Sequence, residues 1–86
     1  MKITKKTVAN KLAAYLRHDL ALGDLVNWAE GAMQDGIFDA RDSKAISYVV
    51  ARLGVADVRA FGLTWEDCEK MLKALGFSAR VDIVAA

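Results

Sequence analysis

The sequence predicts a mainly α fold: a small irregular or orthogonal bundle of about four helices plus a short helical turn, closed by a C-terminal β-strand. Three observations carry that expectation. Apolar residues recur at three- and four-residue spacing through most of the chain. Capping residues and glycines stand where those stripes begin and end. Only the last stretch, Phe77 to Val84, nearly alternates apolar and polar residues, the period of a half-buried strand. Proline is absent, so helix breaks fall to glycine and cap chemistry.

The first helix is expected to start at Thr4, whose hydroxyl can cap the amide three residues on. Ile3 and Val8 sit at hydrophobic-staple spacing around it. Val8, Leu12, Tyr15 and Leu16 form the stripe, and the helix should end near His18, a donating side chain suited to a helix C-terminus. The second helix is expected from about Leu22 to Gln34. Its stripe is Leu22, Leu25, Val26, Ala29 and Met33, with Trp28 to one side and Gly36 as the C-terminal glycine. The third follows Asp42 as N-cap and turns Ile46, Val49, Val50 and Leu53 inward. Gly54 is expected in the left-handed position, with Val55 folding back on Val50. Residues 55–62 read as one helical turn presenting Val55, Val58 and Phe61.

The last helix carries the fullest set of signals. Thr64 is the N-cap, Asp67 the third helical residue of a capping box, and Leu63 and Cys68 a staple. Glu66 and Asp67 suit its positive end, and Lys70 and Lys73 its negative end. Gly76 closes it and Phe77 can pack back on Leu72. In the strand 77–84, Phe77, Ala79, Val81 and Ile83 share one face. A strand needs partners for its backbone. Residues 1–4 or a second copy in trans are the two candidates.

The 86 residues are the size of one domain, 1–86. Such a chain buries roughly 60–65% of its unfolded surface, enough for a small core. An apolar fraction of 55% argues against disorder and leaves greasy surface for a partner or a second copy to cover. Net charge is only +1, without the basic excess of nucleic-acid domains. The charges are segregated, however. Residues 1–17 carry Lys2, Lys5, Lys6, Lys11 and Arg17 without an acid. Residues 19–42 carry Asp19, Asp24, Glu30, Asp35, Asp39 and Asp42 against Arg41 alone. Either the two segments lie together and neutralise, or the first is a basic arm for an anionic partner. One cysteine, no apolar leader in the first ten residues and no span-length apolar run lead to an expected cytoplasmic location, with no membrane.

Chemistry-bearing constellations do not emerge. His18 and Asp19 are adjacent and cannot face each other on a helix. Cys68 lies in a helix among Glu66, Asp67 and Glu69, which would raise its pKa, so a buried structural thiol is expected. Asp35, Asp39 and Asp42 lack calcium-loop spacing. GxGxxG, GxxxxGK(S/T), GxSxG and HExxH are absent. A helix-turn-helix over 43–53 and 64–75 would present Trp65, Glu66, Asp67 and Glu69 to DNA, where three acids meet phosphate repulsion. The expectation is therefore no catalytic residue, no metal and no cofactor. A non-enzymatic protein-interaction module follows, such as an adaptor, an inhibitor, or an immunity- or antitoxin-like partner. It would bind another protein or a second copy, as a homodimer, through Trp28, Trp65, Val81 and Ile83. The alternative is a small nucleic-acid-associated regulator using the basic first helix.

Overall fold

A computed structural model describes residues 2–58, 62–80 and 83–85. Over those residues the chain is mainly helical, with four α-helices and one pair of two-residue strands.

Helix α1 (Lys5–Leu16) opens with reciprocal threonine bonds. Thr4 Oγ1 accepts from the Thr7 amide at 3.1 Å, and Thr7 Oγ1 accepts from the Thr4 amide at 3.2 Å. Thr7 fills the place usually taken by Glu or Gln. Ile3 and Val8 are both fully buried around the cap, as a staple requires. At the other end the helix stops for a backbone reason. His18 adopts φ 66°, the Asp19 amide donates to the Ala14 carbonyl at 2.9 Å, and the His18 amide to that of Tyr15 at 3.1 Å. This is a Schellman closure with His in the position glycine usually takes. The imidazole itself is exposed, so the helix does not end on a side-chain cap as expected.

Helix α2 (Leu22–Asp35) buries Leu25, Val26, Ala29 and Ala32. Ala32 takes the place expected of Met33, which is 55% exposed. Gly36 follows with φ −76°, so it is not the left-handed cap. Its missing side chain serves packing instead. A Cβ there would run into the Ala32 carbonyl oxygen and stand 2.9 Å from Ile3 Cγ1.

That close approach admits the strand pair. Strand β1 (Lys2–Ile3) lies parallel to β2 (Ile37–Phe38), with Lys2 opposite Ile37 and Ile3 opposite Phe38. The Asp39 amide adds a bond to the Ile3 carbonyl at 2.9 Å. Parallel strands need a long crossover, which α1 and α2 supply. Among the described residues, then, the N-terminal residues pair with 37–38.

A 3₁₀ turn at Ala40–Asp42 leads into helix α3 (Ser43–Leu53). Asp39 caps that turn, accepting from the Arg41 amide at 3.1 Å. Asp42 makes no side-chain cap; its carboxylate lies 3.7 Å from Lys5 Nζ instead. Ile46, Val49, Val50 and Leu53 are fully buried, as the stripe requires. Gly54 stays right-handed at φ −63°, so no Schellman closure forms there. The chain continues through turns in which Ala56 is buried and Val55 and Val58 are exposed. Phe61 lies outside the described residues.

Helix α4 (Trp65–Ala74) follows its signals closely. Thr64 Oγ1 accepts from the Asp67 amide at 3.1 Å, and Asp67 Oδ2 accepts from the Thr64 amide at 3.0 Å. Gly76 is left-handed at φ 87°, and the Phe77 amide donates to the Leu72 carbonyl at 2.8 Å. The expected strand 77–84 is not formed in what is described of it: 77–80 and 83–84 are neither strand nor helix. Among the described residues no helix is long and apolar enough to cross a membrane.

Two substitutions test these contacts. Gly36→Ala should destabilise the fold by about 1–3 kcal/mol, because the new Cβ meets atoms that cannot give way freely. Thr64→Ala should cost about 1 kcal/mol through the lost cap. Urea midpoints at neutral pH measure both, and an unchanged midpoint for either variant would refute its assignment.

Candidate functional site

Helices α1 and α4 run antiparallel. The start of α4 meets the end of α1, where Trp65 shares a depression with Leu16 and His18. The end of α4 meets the start of α1, where a Cβ on Gly76 would stand 3.8 Å from Lys5 Nζ. Between them lies a groove of about 530 Å³, walled on one side by residues 77–80.

Its lining is built by helical spacing. Lys6, Asn10, Ala13 and Arg17 recur at intervals of four, three and four along α1 and its C-cap, so they share one face. That face lies beside the buried one carrying Val8 and Leu12. Ala9, Ala13 and Leu16 of α1, with Trp65 and Leu72 of α4, make the apolar floor. Phe77 and Ala79 continue it along the tail, and Ala79 packs against the core. Lys6, Arg17 and Arg80 supply positive charge, and no acidic side chain is among the described lining residues. Arg17 also pairs with Asp19 at 3.2 Å, an exposed contact of small energetic weight.

The position of α4, and so of Trp65, is fixed from α3. One Arg52 nitrogen, Nη2, donates to the Gly62 carbonyl at 3.1 Å and to Asp67 Oδ2 at 3.3 Å. Asp67 Oδ2 thus receives both Arg52 and the Thr64 amide. The Thr64 amide and then its hydroxyl hold the Asp67 carboxyl below the ordinary carboxylate value of 3.8. The charges of Arg52 and Lys70 add to the effect, and desolvation opposes it.

Of the expected partner-binding residues Trp28, Trp65, Val81 and Ile83, the described ones stand in different surroundings. Trp65 lines the groove. Trp28 is partly buried against the core, with Lys11 Nζ 5.5 Å from its ring centroid. That is a cation–π contact on a different face of α1. Ile83 is 95% exposed, and Val81 lies outside the described residues. Lys6, Arg17 and Arg80 were not singled out by sequence as groove residues. Their spacing on α1 is readable, but which element faces them is a tertiary fact.

Other candidates serve structure. Cys68 is buried, and its thiol is pushed up to about 11, first by burial and then by the Asp67 charge. Asp39 and Asp42 are engaged by the 3₁₀ turn and by Lys5. Among the described residues no three His, Cys, Asp or Glu side chains are grouped to hold a metal ion. No family model, curated protein or solved structure matches the chain.

The Asp67 shift has a pH consequence. A carboxyl lowered on folding contributes stability that is fully present above its unfolded pKa and is lost as pH falls through the folded pKa. The urea midpoint should therefore fall as pH drops through the carboxyl's ordinary value of 3.8 and on through its lowered folded value. Asp67→Asn should lower the midpoint near neutrality and flatten that fall. Equal pH profiles for the two proteins would contradict the Arg52–Asp67–Thr64 arrangement.

Proposed function

We propose that the chain is a non-enzymatic protein-interaction module whose docking site is the groove between α1 and α4, and that it works in the cytoplasm. One observation carries the reading: an apolar floor that includes Trp65 is bordered by Lys6, Arg17 and Arg80, with no acid among the described lining residues. Apolar surface around an aromatic anchor supplies affinity, while charge at the border selects the partner and speeds encounter. The matching partner is a protein segment with aliphatic and acidic side chains.

The same geometry weighs against the nucleic-acid alternative. Lys5 is directed to Asp42 and Lys11 to the Trp28 ring, so the basic run of the first helix is divided among several faces. Of that run only Lys6 and Arg17 reach the groove, where they border an apolar floor, whereas backbone phosphates are read by a broad basic face or stripe.

Display of short random peptides on the full chain tests the reading, with one library mixing acidic and aliphatic residues and one mixing basic and aliphatic residues. Enrichment is expected from the acidic library only. The affinity of an enriched peptide should fall about tenfold on Lys6→Glu or Arg80→Glu, with little change in thermal midpoint because both side chains are exposed. Absence of enrichment, or binding indifferent to both reversals, would overturn the groove as a docking site. Tighter binding to duplex DNA than to any peptide would favour the nucleic-acid reading.

A further inference from the structure

We infer that the partner segment docks as an extended strand, paired edge to edge with residues 78–80 and bearing acidic side chains at alternate positions. The inference rests on the groove being a protein-docking site and adds the conformation and chemistry of its occupant.

The walls of the groove differ in one respect. Those from α1 and α4 are helical, and their backbone groups are bonded within each helix. The wall at 77–80 is neither helix nor strand. After the Phe77 amide closes α4, Ser78, Ala79 and Arg80 make no backbone–backbone hydrogen bond among the described residues. In the free protein those amides and carbonyls can be met by water. An occupant that covered them with a helix would strip that water and offer no backbone partner in return. Buried backbone groups left unpaired are costly, so the occupant must bring free amides and carbonyls of its own. An extended segment does so.

Over 78–80 the side chains of this wall alternate as in a strand, although Phe77 before them is exposed. Ala79 is half-buried against the core while Ser78 and Arg80 are exposed. Strand addition uses such an edge, with main-chain bonds giving affinity and alternate side chains giving specificity. Charge sets the second half of the inference. Lys6 and Arg17 stand about 16 Å apart along α1, a span that long side chains on one strand face, about four or six residues apart, can bridge. Arg80 adds a third cation on the wall itself. A strand with acids every second residue can meet these cations from one face while its aliphatic face covers the floor. The exposed Arg17–Asp19 pair yields to such a partner at low cost.

Two fluorescein-labelled peptides of about ten residues and identical composition distinguish the modes. In one, Glu and Val alternate; in the other they follow helical spacing. The alternating peptide is expected to bind the full chain about tenfold more tightly, and to slow hydrogen exchange at the amides of 78–80. Ser78→Pro and Ala79→Pro sharpen the test. Adjacent strand amides point to opposite edges, so one of the two should weaken binding about tenfold and the other little. Both variants should keep the parent thermal midpoint, since neither amide bonds to backbone within the described fold.

Preference for the helically spaced peptide, or alternating-peptide binding with no protection at 78–80, would overturn the strand while leaving the groove reading intact. Failure of both peptides, or binding indifferent to Lys6→Glu, would remove the groove reading as well. A concentration-dependent dimer that protects the same amides without peptide would replace the acidic partner with a second copy.

Discussion

The apolar face of α3 is the surface on which the other three helices and strand β2 are assembled. Ile46, Val49, Val50 and Leu53 are fully buried, and α1, α2, α4 and β2 all pack on this helix. In a chain this small, few side chains are available to exclude water, and each element must find the same few. Burying four aliphatic side chains on one stripe contributes on the order of 1.5–3 kcal/mol for each. Arg52, on the same helix, extends that control by polar means. It reaches the Gly62 carbonyl and Asp67, so the start of α4 is set by α3. Trp65 begins α4 and residues 77–80 leave its end. The geometry of the groove is thus inherited from a helix that does not line it.

The parts of this arrangement that were legible in the sequence are local ones. Thr4 and Thr64 cap their helices because a cap needs only a hydroxyl and an amide three residues away. Gly76 closes α4 because a left-handed residue is favourable for glycine wherever it stands. Several of the misreadings involve partners distant in sequence. Gly36 looks like a cap but is needed because Ile3 passes close by. Met33 and Ala32 are adjacent on the same stripe, and only the packing of neighbouring elements decides which is covered. Ile37–Phe38 is too short to show a period, so the strand partner of Ile3 left no signature. Trp65 was recognised as a candidate anchor, but the cations beside it were not, because they come from α1 and from the tail.

The segregation of charge in the sequence resolves into three different uses. Lys5 faces Asp42 across the start of α1, joining the basic and acidic segments directly. Lys11 covers Trp28, a contact worth about 0.5–1 kcal/mol at an exposed site. Lys6 and Arg17 fall on a separate face and meet Arg80 around the groove. A helix divides consecutive charges among its faces every 100° or so, and a linear count adds them together. A net charge of +1 therefore coexists with a local patch of one sign. At physiological salt the patch acts over a Debye length of about 8 Å, which confines its influence to what enters the groove.

The tail joins these threads. Its alternating pattern satisfies the side-chain requirement of a strand, but a strand is completed only by a neighbour's backbone. Within the described fold the N-terminal residues are already paired with 37–38, and residues 78–80 have no backbone partner among the described residues. The Schellman closure at Gly76 turns the chain onto the groove, and Ala79 anchors it there against the core. Leaving the backbone of 78–80 to water costs little while the edge stays wet. The same groups become expensive once an apolar partner excludes that water. The sequence of 77–80 is compatible with strand pairing, and the fold holds that segment beside a cationic, apolar surface with no second strand against it among the described residues.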